Sequence, residues 1–445
     1  MQNKRRKFTG VSLIRYVILL LSLIHILKAE TLMDALYTKP TLTKKQIEQK
    51  KENTYMTGLP LINYDSDKGV GYGARVYLYN NGNADDELFT LTPYNHQLYV
   101  QYFQTTNGYS YHALHYDAPY INNSLFRLTS ELIFEKNTQS NYFGITASSL
   151  DSLSDTQGNR YTTAKAQQEA LDNQGSRYYN RYLLVKPKAV IDVARDYFGG
   201  LVRLSVGVDI AKASVSDYNN TNVINIANRL TKLSEDWENI IGYEGGWDSG
   251  LKFSVVYDSR DFAPNPKNGS IHDLTVDLYG SFIGSDFEHQ RYTFSTKNFF
   301  TPVGTDFFTL ALRGIYSIQT GNTPFFDKNI ISFADNYSTG LGGYRTLRGY
   351  AQDRFIADVK VLTNVEARFN FYETDQFGQS FEFMAVPFID AGKVFDKVTQ
   401  TDLIDYKVTY GSGLRIAWNQ ATIIMMDYGK NSEESGLYIN FGHIF

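Results

Sequence analysis

The residues of this 445-residue chain best placed for chemistry are two arginines in a glycine-rich stretch, Gly340–Tyr350. The stretch carries four glycines together with Arg345 and Arg348, near the end of a long polar segment, Gln319–Asp358. Such a composition suits neither a helix interior nor a strand interior. Loops of this length are usually either functional or disordered, and we predict a compact loop that holds a cation at a fixed point.

Other chemistry finds little support in the sequence. The seven histidines show no His-Glu-x-x-His or comparable ligand spacing, so no metal site is predicted. No Gly-x-Ser-x-Gly elbow occurs, and we expect neither a catalytic site nor a cofactor. A net charge of −4 and a pI near 6 give no electrostatic case for nucleic acid.

The N-terminus has the layout of a secretory signal peptide over residues 1–29. Lys4–Lys7 are basic, Tyr16–Leu27 is an uncharged apolar run of 12 residues, and Ala29 offers a cleavage site. The alternative is a membrane anchor that stays attached. Residues 30–58 are polar, and we predict a short periplasmic lead, helical or disordered, before the main domain at 59–445.

The elements that must position the loop are β-strands. The chain has 34 Tyr, 29 Phe and 34 Gly but no Cys, which suits a β-rich protein and excludes disulfides and thiolate metal sites. No later segment has 18 consecutive apolar residues, so no transmembrane helix is predicted after the signal. In Lys360–Tyr372 apolar residues alternate with polar ones at the two-residue period of a strand.

Sixteen such strands are predicted, with long and short connectors alternating from the fifth strand onward. They start at about Leu59, Gly69, Gln97, Tyr109, Ser124, Tyr179, Leu201, Leu251, Asp273, Gln290, Asp306, Lys360, Phe381, Tyr410, Thr422 and Leu437. Short periplasmic turns and long outer loops are typical of an antiparallel outer-membrane β-barrel. A soluble β-sandwich is the alternative, but its turn spacing of 8–12 residues is missing.

The two ends of the predicted barrel carry separate expectations. The chain finishes inside a strand, where Leu437, Ile439, Phe441 and Phe445 share one face. The first predicted strand is short and contains Pro60, which cannot donate to a ladder. We therefore predict that the junction between the first and last strands is the most weakly hydrogen-bonded one in the barrel.

Four motifs, in order along the chain, resemble those of the BamA/TamA superfamily of sixteen-stranded barrels, also called bacterial surface antigens. Leu347-Arg348-Gly349-Tyr350 resembles the motif of the sixth outer loop, and the turn containing Asp258, Arg260, Asp261 and Gly269 resembles the Asp-x-Arg-Asp…Gly turn. Phe388–Gly392 resembles the Phe-x-Asp-x-Gly strand. The ending, with Phe441 and Phe445, resembles the C-terminal strand signal.

The resemblance implies that the loop between strands 11 and 12 reaches back into the lumen. There Arg348 is expected to meet Glu366 and Asp390 on strands 12 and 13. A guanidinium is always charged, and its planar fork suits carboxylates. The alternation agrees, because Glu366 lies on the polar side of its strand.

The resemblance does not determine the function of this chain. Residues 30–58 are too few for the periplasmic POTRA domains of relatives that insert or secrete proteins, and no phospholipase domain is present. Three alternatives stay open: membrane insertion or translocation with a separate periplasmic or lipoprotein partner, a surface-exposed structural or binding barrel, and a gated pore. In each we expect a monomeric barrel, surrounded by lipid in the bacterial outer membrane.

Overall fold

The computed structural model describes residues 47–48, 50–218, 230–305, 307–376, 378–419 and 422–445. The predicted signal peptide, residues 1–29, lies outside the described residues. So do residues 30–46 and 49 of the predicted lead, and Asp306, the predicted start of the eleventh strand.

Sixteen antiparallel strands follow one another around a closed barrel. They are β1 Thr54–Asp65, β2 Gly69–Asn80, β3 His96–Thr105, β4 Tyr109–Ala118, β5 Phe126–Asn141, β6 Arg181–Tyr197, β7 Val202–Asp217, β8 Gly245–Asp258, β9 Gly269–Tyr279, β10 His289–Phe300, β11 Phe308–Gly321, β12 Val359–Gln376, β13 Gln379–Phe395, β14 Lys407–Trp418, β15 Thr422–Lys430 and β16 Ser435–Phe441. The predicted sixteen-stranded barrel is confirmed and the sandwich alternative is wrong. The first strand begins at Thr54 rather than at Leu59.

The connectors give the barrel two unlike ends. The long-loop end carries the connectors at residues 142–180, 218–244 (its described residues), 322–358 and 396–406. The short-turn end includes the connectors at 198–201 and 419–421. Residues 420 and 421 lie outside the described residues. The described helices are α1 Ala164–Asn173, α2 Lys232–Glu235 and α3 Phe325–Lys328. Short 3₁₀ turns occupy Glu87–Thr90, Ile121–Asn123, Ala147–Leu150, Phe198–Gly200, Trp237–Asn239, Ser281–Ile283 and Val398–Gln400. Among the described residues, no helix is both long and apolar enough to cross a membrane.

The strand β12 shows how the alternation builds the wall. Lys360, Asn364, Glu366 and Arg368 are at most 2% exposed and face the lumen, whereas Phe371 on the other face is 61% exposed. Polar side chains therefore point inward and aromatic ones outward, the reverse of a soluble sheet protein. This inversion is typical of barrels whose outer surface meets lipid.

The connector between β11 and β12, residues 322–358, lies inside the barrel and is called the lumen loop below. Its backbone contacts inward-facing side chains around the wall: Lys252 Nζ donates to Phe333 O at 3.1 Å, and Asn364 Nδ2 donates to Thr346 O at 2.8 Å. The loop has an apolar core of its own. Buried members of that core are Ile331, Leu341, Leu347, Tyr350, Phe355 and Ala357, which pack against Ile315, Leu362 and Val394 of the wall.

The end of the chain corrects one prediction. Phe441 lies on β16 and faces outward, but Phe445 does not continue that face. Gly442, with φ of 85°, turns the chain, and Phe445 packs in the lumen against Phe299. Buried arginines fix the turned segment, because Arg313 Nη1 donates to Ile444 O at 3.1 Å. The sequence pattern could not show this turn, since a glycine permits it without requiring it.

The junction between β1 and β16, called the seam below, is short. Its described ladder has two pairs, Tyr64 with Ile439 and Asp65 with Tyr438, both near the long-loop end. By contrast β1 and β2 pair from Thr54–Asn80 through to Asp65–Gly69. No described residue pairs with the seam-side edge of β1 over residues 54–63, in agreement with the expected weakness.

Candidate functional site

The guanidinium of Arg348 lies in a fully buried cluster of carboxylates in the lumen. Its Nε and Nη2 donate to the two oxygens of Asp390 at 2.9 and 2.8 Å. Its Nη1 donates to Glu366 Oε1 at 2.8 Å and to Asp427 Oδ2 at 2.9 Å. The Cζ atom of the guanidinium lies 3.3 Å from the ring centre of Phe388. The structure thus brings Arg348 to both predicted partners, and to Asp427 of β15 in addition.

Two further arginines balance the charge of this cluster. Arg368 donates to Glu366 Oε2 at 3.0 and 2.9 Å. Arg415 donates to both oxygens of Asp427 and to Glu366 Oε1. Three cations therefore face three carboxylates, so each charge is compensated despite the loss of water. Removing any one member would leave a buried net charge.

The neighbours of Arg348 in the motif hold it by backbone and packing. Gly349 has φ of 103°, and a Cβ there would lie 2.9 Å from the backbone of Gly429 on β15. Its N–H donates to the Tyr438 hydroxyl at 3.0 Å. Leu347 and Tyr350 are buried in the apolar core of the lumen loop. Each residue of the motif thus has a distinct physical reason for its type.

A second ion cluster anchors the start of the lumen loop. Asp327 in α3 pairs with Arg291 and, at 3.4 Å, with Lys186. Nearby, His289 Nε2 lies 2.9 Å from Asp248 Oδ1. The ligand atoms of Asp248, His289 and Asp327 lie within 4.8 Å of one another. Because adjacent cations already neutralise Asp327, we assign no metal to this group.

The residues of the predicted motif turn bind one another at the short-turn end. Arg260 Nε and Nη2 donate to Asp258 at 2.9 and 2.7 Å, and Asp261 accepts the N–H groups of residues 262, 267 and 268. Gly269, with φ of 97°, approaches the Ser259 carbonyl too closely for a Cβ. In the described part of the chain no hydrogen bond joins these residues to Arg348, so the structure does not bring this turn to the lumen cluster.

The tip of the same turn reaches across the short-turn end. Asn265 Oδ1 lies 3.1 Å from Nε2 of His443 in the turned C-terminal segment. Lys267 Nζ lies 3.3 Å from Glu382 Oε1 on β13. The turn thus connects the β8–β9 hairpin to β13 and to the chain end.

A pair of carboxylates joins the lumen loop to both sides of the seam, and we call it the seam latch. Asp67, in the turn after β1, accepts the N–H of Gln352 at 2.8 Å. Glu434, in the turn before β16, accepts the N–H of Ala351 at 2.6 Å. Consecutive residues of one loop therefore connect the first and last hairpins.

The seam latch is expected to loosen as the pH rises. Burial is the main cause that raises the pKa of Asp67 to about 6, and the negative charge of Asp65 adds to it. Burial is likewise the main cause that raises the pKa of Glu434 to about 7, and the negative charge of Asp67 adds to it. Both folded-state values lie above the ordinary ones, so this contribution to stability is complete at acid pH and is lost as the pH rises through about 7. We predict that amide exchange at residues 351 and 352, corrected for its intrinsic rate, accelerates between about pH 5 and about pH 8. The variant Glu434→Gln should remove the upper part of this pH dependence, and an unchanged profile would contradict the prediction.

Two cavities lie on the β1–β6 side of the lumen. One, of about 500 Å³, is lined by both charge signs, including Glu131, Glu135, Lys188 and Lys252. The other, of about 580 Å³, borders the seam. The lumen loop thus leaves open space beside β1–β6, although its Tyr337 hydroxyl still reaches Glu135 on β5 at 3.4 Å.

The long-loop end is covered by packed connectors. The N–H of Ala164 in α1 donates to Glu433 O at 3.1 Å, and Arg354 of the lumen loop pairs with Glu433 at 2.9 Å. Beside them an apolar cluster joins four connectors and two strands. Its buried members are Tyr142, Tyr182, Ala213, Leu233, Phe287, Phe325 and Phe326. The connector at residues 142–180 is therefore packed partly against the lumen loop.

Comparison with protein families identifies the chain. The Omp85 superfamily domain matches residues 101–445. The chain belongs to the Omp85 superfamily. A domain of unknown function, DUF5982, matches residues 34–95, which include β1 and β2. The resemblance to the BamA/TamA superfamily is thereby confirmed, and barrels of the Omp85 superfamily are bacterial outer-membrane proteins.

Solved structures agree with this Omp85 fold. BamA from Haemophilus ducreyi lacking POTRA domains 1-3 is 13% identical with a TM-score of 0.54, and the match covers 88% of this chain and 70% of that one. CdiB from Escherichia coli is 9% identical with a TM-score of 0.51, covering 89% and 69%. Comparison with curated proteins finds no match. At these identities the structures show a shared fold alone.

Sequence reasoning missed three members of the lumen cluster: Asp427, Arg368 and Arg415. A signal for them existed. Arg368 follows Glu366 at the two-residue spacing that keeps both on the lumen face of β12. In the ladder Asp427 pairs with Gly413, two residues before Arg415 on the same face. A systematic search for inward-facing charges would have found the set.

Proposed function

We propose that this chain is an integral outer-membrane barrel that inserts polypeptides into, or passes them across, the membrane through its seam. The observation that carries the proposal is the unpaired edge of β1, because an open strand edge is a template for a further strand. In lipid, unpaired backbone groups cost several kcal/mol each. An incoming strand that pairs with residues 54–63 would satisfy these groups and gain that free energy.

The rest of the lumen supports a lateral route. The cavity of about 580 Å³ that borders the seam, called the seam cavity below, reaches from inward-facing Gln101 to outward-facing Ile62. The gated-pore alternative requires solutes to pass along the barrel axis, and the covered long-loop end disfavours such passage. In this account the Arg348 cluster keeps the lumen loop fixed against β12, β13 and β15 while the seam moves.

A separate partner on the periplasmic side fits the same proposal. At the short-turn end, residues just before β1 pack on the β2–β3 connector, where Lys50 Nζ donates to Phe89 O at 2.7 Å and Asn81 Nδ2 donates to Lys51 O at 2.6 Å. This ordered surface lies beside the open part of the seam. We propose that a periplasmic or lipoprotein partner delivers substrate here to a monomeric barrel.

Depletion of the protein tests the proposal. If the seam inserts other proteins, depletion is expected to lower the levels of several other outer-membrane proteins, measured by quantitative proteomics of isolated outer membranes. An intact outer-membrane proteome with loss of one surface interaction would contradict insertion and favour the surface-binding alternative. Single-channel conductance that rises on deletion of residues 319–358 would favour the pore.

A further inference from the structure

The cavity at the seam passes through the barrel wall. Its lining includes Ile62 and Phe441, outward-facing residues on the two sides of the seam, together with inward-facing Asn63 and Gln101. Its volume is about 580 Å³. A molecule in this cavity would touch the membrane at one end and the lumen at the other.

Three cations line the inner part of this cavity: Lys68, Arg75 and Arg345. Arg75 donates to Gln101 Oε1 at 2.8 and 2.5 Å and to the Tyr77 hydroxyl at 2.9 Å. Arg345 donates to the Tyr344 hydroxyl at 2.8 Å, and to Tyr337 O at 3.3 Å.

The third cation, Lys68, lies 4.1 Å from the ring centre of Tyr109. All three therefore have neutral partners, and within the described residues none forms an ion pair with a carboxylate. This contrasts with the Arg348 cluster, where every cation is paired.

Among the described residues, the acids near the cavity form no ion pair with these three cations. Asp65 is the carboxylate in the lining, and its Oδ1 accepts the N–H groups of Asp67 and Lys68 at 2.8 and 3.3 Å. The adjoining cavity of about 500 Å³ is lined by the same three cations together with Glu131 and Glu135, whose carboxylates accept hydrogen bonds from tyrosine hydroxyls. The seam cavity therefore presents three cations against one carboxylate that is already bonded.

We propose that the seam cavity binds an anionic phospholipid, with its phosphate on Lys68, Arg75 and Arg345 and its acyl chains passing outward between Ile62 and Phe441. Guanidinium and ammonium groups are strong phosphate donors, and the opening faces the side from which a lipid arrives. Apolar residues at the wall and cations inside match the two ends of an amphiphile. The lipid would also cover part of the unpaired edge of β1 while no polypeptide is present.

The test compares lipids on the full chain. Native mass spectrometry is carried out on the protein released from nanodiscs that contain equal amounts of phosphatidylglycerol and phosphatidylcholine. The wild-type protein is expected to retain phosphatidylglycerol over phosphatidylcholine by on the order of tenfold or more, because each basic residue contributes attraction to an anionic lipid. The combined variant Lys68→Gln, Arg75→Gln, Arg345→Gln is expected to lose this preference.

A matched variant controls for net charge. Arg160→Gln, Lys165→Gln and Lys397→Gln remove the same charge from exposed positions at the long-loop end and should leave the preference intact. If the triple cavity variant fails to fold, as judged by its heat-modifiable mobility, Arg345→Gln alone in the lumen loop should lower the preference.

Three results would overturn the proposal. They are equal retention of the two lipids by the wild-type protein, an unchanged preference in the cavity variants, and loss of bound phosphatidylglycerol on addition of excess inorganic phosphate. The last would assign the site to a soluble anion. None of these outcomes depends on insertion activity, so failure here is separate from failure of the proposed function.

Discussion

Replacement of Arg348 by alanine is expected to lower the free energy of unfolding by ~3–5 kcal/mol, the typical cost of removing one partner from a buried ion pair. The reason is the charge left behind. Asp390, Glu366 and Asp427 would face only Arg368 and Arg415 in a site that is fully buried. The lumen loop would also lose its attachment to three strands. Denaturant unfolding in detergent micelles measures the change, and heat-modifiable mobility reports on the folded barrel.

Arg345→Ala is the matched control, since Arg345 belongs to the same loop but forms no ion pair in the described part of the chain. Its expected effect is small, in the range of an ordinary surface substitution. Arg348→Lys should recover part of the loss, because a single ammonium cannot reproduce the paired hydrogen bonds to Asp390. Equal stability of the wild-type protein and Arg348→Ala would contradict the role of the lumen cluster.

A disulfide across the seam is expected to abolish function. Tyr64 and Ile439 are ladder partners on the outward face of β1 and β16, and the chain has no cysteine of its own. Cysteines at these two positions would fix the strands together, since paired residues of neighbouring strands lie close enough to bridge. We expect the oxidised double variant to fail to restore the outer-membrane proteome of depleted cells, and a reductant to restore it.

The control for the seam disulfide is a second pair on β1. Ile62 and Tyr72 are ladder partners across the continuous β1–β2 ladder, so a disulfide there leaves the seam free. This pair should support function in both redox states. Full activity of the oxidised seam variant would exclude lateral opening as the working step.

The strands of this fold could be predicted because the same alternation of polar and apolar residues recurs along the chain. Period-two alternation in segments such as Lys360–Tyr372 defines strand after strand, because each residue lies on one of two faces. The partners of Arg348 on β12 and β13 were reachable for the same reason: polarity marked Glu366 as inward, and the motif resemblance pointed to Asp390.

The contacts that could not be predicted from the sequence form only when the barrel closes and brings distant strands together. The contact of Arg348 with Asp427 requires β15 to come round beside β13 and β14, which local pattern does not encode. The turn at Gly442 depends on Arg313 and Arg368 being poised to bind the chain end. The number of ladder pairs at the seam depends on where β16 ends beside β1. Pro60 therefore indicated a weak junction but not how few pairs it would have.

Hydrogen–deuterium exchange of the intact protein in lipid nanodiscs measures whether the seam side of β1 is open. Among the amides of β1 over residues 54–63, those that point to the seam are expected to exchange rapidly. Amides of β12 over residues 359–366, paired on both sides and packed against the lumen loop, should exchange far more slowly. Uniform strong protection across β1, β12 and β16 would show a fully closed ladder and would contradict a seam that opens.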